Sequence, residues 1–211
     1  MSTTGVVNAQ SIIDSLKRVC DALLRQQDYI LSLDQAMGDG DLGITISKIG
    51  TALKKYIQSA PLDDLGKLLV GLGMETNKAG PSTMGTLLAT ALMRAGKEVM
   101  SKSQLEPIDL ANMMIVAGNG MKDRGKANLG DKTVLDVIIP AGEAFKEAIN
   151  KGESLEEAGR LMILAAESGR DKVTPLKSRI GRASWIGDRT AGLIDPGCET
   201  MVIILRAIVN K

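Results

Sequence analysis

No histidine occurs anywhere in the 211 residues. That absence removes nucleophiles activated by a histidine base, histidine zinc sites and any phosphohistidine relay on this chain. Proton transfer, if any is performed, falls to carboxylates, lysines, tyrosines or water. Aromatic residues are only 2% (Tyr29, Tyr56, Phe145 and Trp185), which leaves few platforms for stacking single-stranded bases. Two cysteines, Cys20 and Cys198, are too few for a disulfide framework and wrongly spaced for a metal knuckle. They read as buried thiols in a reducing cytosol. Neither charge prevails: 26 Lys and Arg stand against 25 Asp and Glu, so no net field draws the protein to nucleic acid or to an anionic membrane. The first basic residue is Lys17, and no apolar run approaches the roughly 20 residues of a membrane helix. Neither a signal peptide nor a membrane span is expected, and the expected location is the cytoplasm.

What remains is a core filled by Leu, Ile, Val, Met and Ala, several of which favour helix. The dominant period is helical. Ile12, Leu16, Val19, Leu23 and Ile30 predict a first helix from about residue 9 to about 32. Ile46, Ile49 and Leu53 mark a second after Gly43, and Leu65, Leu68, Leu69 and Leu72 a third opening near Asp63 and Asp64. A fourth begins near Ser82 and stops at Gly96; a fifth, with Met113, Met114 and Met121, stops at Gly125. Val134 to Phe145 form a sixth with a bend at Pro140. Ser154 and Glu157 form a capping box opening a seventh, and a last helix starts near Pro196. The reading is all-α: residues 1–211 as one domain, a bundle of about eight helices with no strand.

Some of the connections are chemically loaded. Asp34, Asp39 and Asp41 fall within eight positions, interleaved with Gly38, Gly40 and Gly43. Glycines let the backbone fold clustered carboxylates toward one point, and a hard divalent cation relieves their repulsion. The loop feeds a helix N-terminus suited to an anion. A capped polar loop explains the same residues, and on this segment alone the two readings stand level. Gly80-Pro81-Ser82-Thr83 precedes another helix start, where an N-cap at Ser82 accounts for most of the signal. Arg124 to Thr133 reads either as a ligand cradle or as a solvated connection, and lacks the order of a P-loop. Residues 181–197 form a long loop carrying Trp185, whose expected role is to anchor that loop on the bundle.

In order, Leu33-Asp34, Gly38-Asp39-Gly40-Asp41, Gly85-Thr86, Arg124-Gly125-Lys126-Ala127, Gly130-Asp131-Lys132-Thr133, Gly181-Arg182-Ala183-Ser184 and Asp195-Pro196-Gly197 span nearly the whole chain. This ordered set resembles the L-type, ADP-binding subunits and domains of dihydroxyacetone kinases. The resemblance implies an antiparallel barrel of eight helices with a nucleotide site at one end. It implies magnesium held by Asp34, Asp39 and Asp41, and ADP or ATP contacted by Leu42, Gly43, Ile44, Thr45, Ala79, Gly80, Ser82, Thr83, Gly125, Val134, Arg182, Asp195, Pro196 and Gly197. Arg182 takes the catalytic role of stabilising charge or closing a lid.

The family's acceptor ketose sits on a separate K-type subunit through a histidine, so a K-type partner is implied here. Some members add a phosphotransferase-system M-type protein that rephosphorylates bound ADP; a second copy of the chain is a further candidate partner. The sequence departs from the family pattern at Leu42, where histidine is usual, at Lys78 to Thr83, at Trp185 and at Asp188. Those departures admit another ketose or polyol as substrate. A nucleotide-loaded regulatory protein without activity, and a lipid-binding barrel lined by Met113, Met114 and Met121, are the competing readings. The surface around the site is expected to carry glycine-rich loops rather than an apolar patch.

Overall fold

Apolar residues recurring every three or four positions, set between Asp, Ser and Gly punctuation, give helices that each bury one stripe. The structure, a computed structural model, describes residues 5–209. Its helices are α1 (Ala9–Arg25), α2 (Gln27–Met37), α3 (Leu42–Tyr56), α4 (Leu65–Ala79), α5 (Thr83–Glu98), α6 (Pro107–Gly125), α7 (Leu135–Asn150), α8 (Leu155–Val173), the single turn α9 (Ala183–Ile186) and α10 (Pro196–Val209). No described helix is long and apolar enough to cross a membrane.

The expected first helix is two. Gln26, at φ −95° and ψ 7°, separates α1 from α2, and α2 continues to Met37. Neither glycine nor proline marks the break. Gln26 serves both helices: its N–H closes α1 on the Ala22 carbonyl at 2.9 Å, and its carbonyl accepts the Ile30 N–H of α2 at 2.9 Å. Two strands were also not expected: β1 (Val7–Asn8) and β2 (Gln104–Leu105) pair antiparallel, with Val7 opposite Leu105. Two residues are too few for an alternation to show in a sequence.

Asp64, Ser82 and Ser154 cap α4, α5 and α8, each accepting a backbone N–H at 3.1 Å. The expected capping box at Ser154 is only half made, because the Glu157 carboxylate turns to Arg160 at 2.6 Å. A complete box stands instead at Glu106 and Asp109. Gly96 does not stop its helix. A Cβ there would lie 2.7 Å from the Gly66 carbonyl oxygen, so Gly96 is where α5 packs closely on α4. Pro140 sits inside α7 and deprives the Asp136 carbonyl of its helical donor. Gly169 of α8 lies directly against that oxygen, where a side chain would collide.

Close contacts fix the direction of each neighbour. Gly66 meets Gly96 and Gly73 meets Ala89, so α4 and α5 are antiparallel. Gly120 against Thr90 and Gly125 against Leu87 give the same for α5 and α6. Gly159 against Val209 and Arg170 paired to Glu199 at 2.6 Å give it for α8 and α10. The ring closes where α1 meets α10: Arg18 donates from Nε and Nη2 to the carbonyls of Ala207 and Ile208, at 3.0 and 2.9 Å. Removing these two part-exposed, charge-assisted bonds with Arg18→Ala should cost about 1 kcal/mol. Urea unfolding should show a lower midpoint with an unchanged slope; an unmoved midpoint would mean that packing alone closes the ring.

This up-and-down order has one consequence for the site. The connections that follow α2, α4, α6 and α8 all lie at the same pole, and with them the N-termini of α3, α5, α7 and α10. The chemically loaded segments of the sequence are these connections.

Candidate functional site

The aspartate loop is built by its glycines. Gly40 has φ +72°, in the left-handed region that glycine tolerates. A Cβ at Gly38 would stand 2.6 Å from Asp34 Oδ1. Asp34 itself is buried, and its Oδ2 accepts the Leu42 N–H at 2.9 Å, capping the first turn of α3. Asp34 thus caps a helix, and it also joins Asp39 and Asp41 in a cluster in which one carboxylate oxygen from each lies within 4.8 Å of the others. Arg182 reaches across from the far side of the chain. Its Nη1 contacts Asp39 and lies 3.0 Å from Asp41 Oδ2. A cationic group thus already sits between these carboxylates, as their mutual repulsion requires.

The cluster forms one rim of a cavity of about 220 Å³. Ser82, Thr83, Gly125, Val134, Asp195, Pro196 and Gly197 line it together with the aspartates, Leu42 and Arg182. An adjoining cavity of about 480 Å³ shares Ser82, Thr83, Leu87 and Gly125 and adds Asn77, Thr86 and Arg124. The first-turn N–H groups of α3, α5, α7 and α10 converge on this pole, giving it the partial positive charge that anions seek at helix starts. Asp195 caps α10, accepting the Cys198 N–H at 2.8 Å, and burial pushes its carboxyl above the ordinary range. Burial likewise pushes the Cys198 thiol up, and its Sγ donates to the Thr133 carbonyl at 3.0 Å.

Other expected contacts lie beside the cavity rather than on its wall. Gly43 is buried against the Gln27 carbonyl and Leu31, where no Cβ would fit. Ile44 points outward, 46% exposed. Thr45 packs toward Gly80, and Gly80 lies against Ile49. Ala79 belongs to the apolar packing between α3 and α4. These residues support the loops; they do not line the space.

Three features were not legible beforehand. The first is that Met37, Met84, Leu87 and Ile180 line the cavity together with the aspartates, joined by Met121, which the lipid-barrel reading places in a cavity. Met113 and Met114, by contrast, are ordinary packing residues against the two apolar clusters. The second is Lys132, 1% exposed, whose ammonium donates to the carbonyls of Thr174, Leu176 and Thr190. Burial draws its pKa down, and the neighbouring Asp195 draws it back up. The third is Trp185, which does not anchor its loop: it is 88% exposed. With Leu129 and Leu193, also exposed, it gives the polar pole apolar side chains as well as glycine loops, against expectation.

The model of the DAK2 domain family matches residues 36–210. The PEP-dependent dihydroxyacetone kinase ADP-binding subunit DhaL of Escherichia coli (strain K12) is 27% identical over 197 residues, covering 93% of this chain and 94% of that protein. The corresponding subunit of PEP-dependent dihydroxyacetone kinase 1 of Listeria innocua is 30% identical over 188 residues, covering 89% of each. Among solved structures, the dihydroxyacetone kinase of C. freundii in complex with AMP-PNP and Mg2+ superposes with a TM-score of 0.76 at 21% identity, over 96% of this chain. The fold is therefore shared, and this chain spans 34% of that kinase chain.

Proposed function

The chain belongs to the DAK2 domain family, and from that premise we propose that it is the nucleotide-binding subunit of a dihydroxyacetone-kinase-like complex. The ligand is ADP or ATP with magnesium, and the reaction is phosphoryl transfer to a hydroxyl of a small ketose held on a separate K-type subunit. The observation that carries this reading is the meeting of Asp34, Asp39 and Asp41 with several helix N-termini around one cavity. Clustered hard oxygen donors suit magnesium, and donor N–H groups beside them suit phosphate.

Magnesium bound there supplies charge neutralisation for the phosphates. Asp39 and Asp41 provide the exposed carboxylates for it, while Asp34 provides a buried one whose second oxygen is fixed by Leu42. Ser82 and Thr83 at the start of α5, and Pro196 and Gly197 at the start of α10, face the cavity as phosphate-side contacts. The apolar side chains of Met84, Leu87 and Met121 exclude water from part of the cavity. Arg182 at the rim offers charge to the transferring group. We read residues 1–211 as one nucleotide-binding domain, supported by the closure of α1 on α10. The names of the bacterial relatives, both PEP-dependent, favour rephosphorylation of bound ADP by an M-type protein over free ATP exchange. The buried free thiols Cys20 and Cys198 fit a cytoplasmic setting.

A kinase must also hold its acceptor in line with the phosphoryl group. In the family that task falls to a histidine of the K-type subunit, and this chain has no histidine. The pure protein, assayed with ATP, magnesium and a panel of short ketoses and polyols, should show no turnover. Activity should appear when a K-type subunit is added together with a phosphorylated M-type protein. Robust turnover by this chain alone would overturn the subunit reading.

A further inference from the structure

A lysine that is 1% exposed has to account for its charge. Lys132 does so with no carboxylate in direct ion-pair contact, Asp195 acting on it only from a distance. Its three ammonium protons meet three backbone carbonyls, those of Thr174 at 2.9 Å, Leu176 at 2.9 Å and Thr190 at 2.7 Å. Three carbonyl oxygens turned to one point repel each other, and the ammonium holds them together. The acceptors lie on the two limbs of the segment that carries Arg182: Thr174 and Leu176 on the way out, Thr190 on the way back.

Lys132 is fixed at its own end. Its backbone has φ +62°, a conformation that costs a non-glycine residue and persists where the surroundings impose it. On either side, the N–H groups of Gly130 and Thr133 bind the Asp136 carboxylate at 2.5 and 2.8 Å, which ties the connection to α7. The Asp131 carbonyl accepts the Arg179 N–H at 3.1 Å. The two limbs are then joined to each other: Ser178 N–H to Thr190 Oγ1 at 2.9 Å, and Gly192 N–H to the Thr174 carbonyl at 2.9 Å. Force applied to the arginine loop is thus passed through the buried ammonium, and through the Arg179–Asp131 bond, to α7 and the cavity wall at Thr133 and Val134.

We propose that Lys132 is a positioning residue: by gathering the carbonyls of Thr174, Leu176 and Thr190 it sets Arg182 over Asp39 and Asp41. The proposal goes beyond the nucleotide reading, since it concerns the order of the loop in the free protein. A buried strut serving general stability would act on the whole bundle; a positioning residue acts on one loop and through one arginine.

The experiment uses the full chain as wild type, Lys132→Met, Arg182→Ala and the double variant. Amide exchange without nucleotide should rise about 10-fold or more over residues 174–192 in Lys132→Met, with α3 to α7 unchanged. Fluorescence anisotropy of Trp185, the one tryptophan of the sequence, should fall in parallel. Calorimetry with Mg·ADP should show about a 10-fold loss of affinity for Lys132→Met in the wild-type background and less than about a twofold loss in the Arg182→Ala background. Equal losses in both backgrounds, or faster exchange spread over the bundle, would overturn the proposal. If the methionine variant does not fold, Lys132→Gln, which keeps two N–H donors, enters the same cycle, and the same results support or overturn the proposal. Should the wild type bind no Mg·ADP, the nucleotide reading falls, while exchange and anisotropy still decide the role of Lys132.

Discussion

Replacing Asp39 and Asp41 together by asparagine is expected to lower the affinity for ADP in the presence of magnesium about 100-fold or more, a change of about 2.7 kcal/mol. The substitution is nearly isosteric, and neither carboxylate holds the fold: both are at least partly exposed, and of the hydrogen bonds described above only the Arg182 contact is lost. The thermal midpoint should therefore stay close to that of the wild type. Relief of carboxylate repulsion and loss of the arginine pairing act in opposite directions and are both screened at a solvent-facing rim. The measurement is calorimetry with ADP, with magnesium and with EDTA. Wild-type protein in EDTA should fall to the level of the variant, and EDTA should change nothing further for the variant. Equal affinity in the variant and the wild type with magnesium would remove the metal site from the mechanism. Asp34 is left in place, because its second oxygen caps α3 and its loss would mix folding with binding.

Gly43→Val is expected to destabilise the protein by about 3 kcal/mol, lowering the thermal midpoint by roughly 6–12 °C. At this position the backbone of α3 lies against that of α2. Any Cβ would collide with the Gln27 carbonyl oxygen and stand 2.8 Å from the Leu31 Cβ, and backbone cannot move aside as a side-chain tip can. The aspartate loop spans these two helices, so pushing them apart also spreads the carboxylates, and Mg·ADP affinity should fall with stability. Two roles for this residue are thus separable. A glycine needed only for ligand contact would, as alanine, lower affinity at an unchanged melting temperature. A glycine needed for packing would lower the melting temperature with no ligand present, and thermal unfolding of the apo protein distinguishes them.

The stripes Ile46–Ile49–Leu53 and Leu65–Leu68–Leu69–Leu72 were readable because burial on one helix face leaves a period of three to four. The aspartates were readable for a different reason: three like charges between glycines have no use as packing. What escaped the sequence depends on partners far along the chain. The break at Gln26 carries no glycine or proline to announce it, and α2 beyond it packs on α3 and α10. Gly96 looks like a stop, yet it is small because Gly66 lies against it. Lys132, in a polar Gly-Asp-Lys-Thr run, looks solvated; only the return of residues 174–190 over it makes it buried. Trp185 errs the other way, since a large aromatic suggests burial and the loop holds it outside.

Closure of the ring by Arg18 also bears on the time course of folding. Most neighbouring helices in the ring are consecutive in the chain, joined by short connections, and form early at little loop-closure cost. The α1–α10 seam joins residues 189 and 190 positions apart, which makes it the natural last step. Interactions absent from the folding transition state set how fast a protein comes apart rather than how fast it assembles. The seam is therefore the latch on the lifetime of the folded state: weakening it should speed unfolding and leave refolding almost untouched. Since Asp195 to Gly197 enter the cavity on α10, a nucleotide bound at that pole would hold the latch shut from the inside.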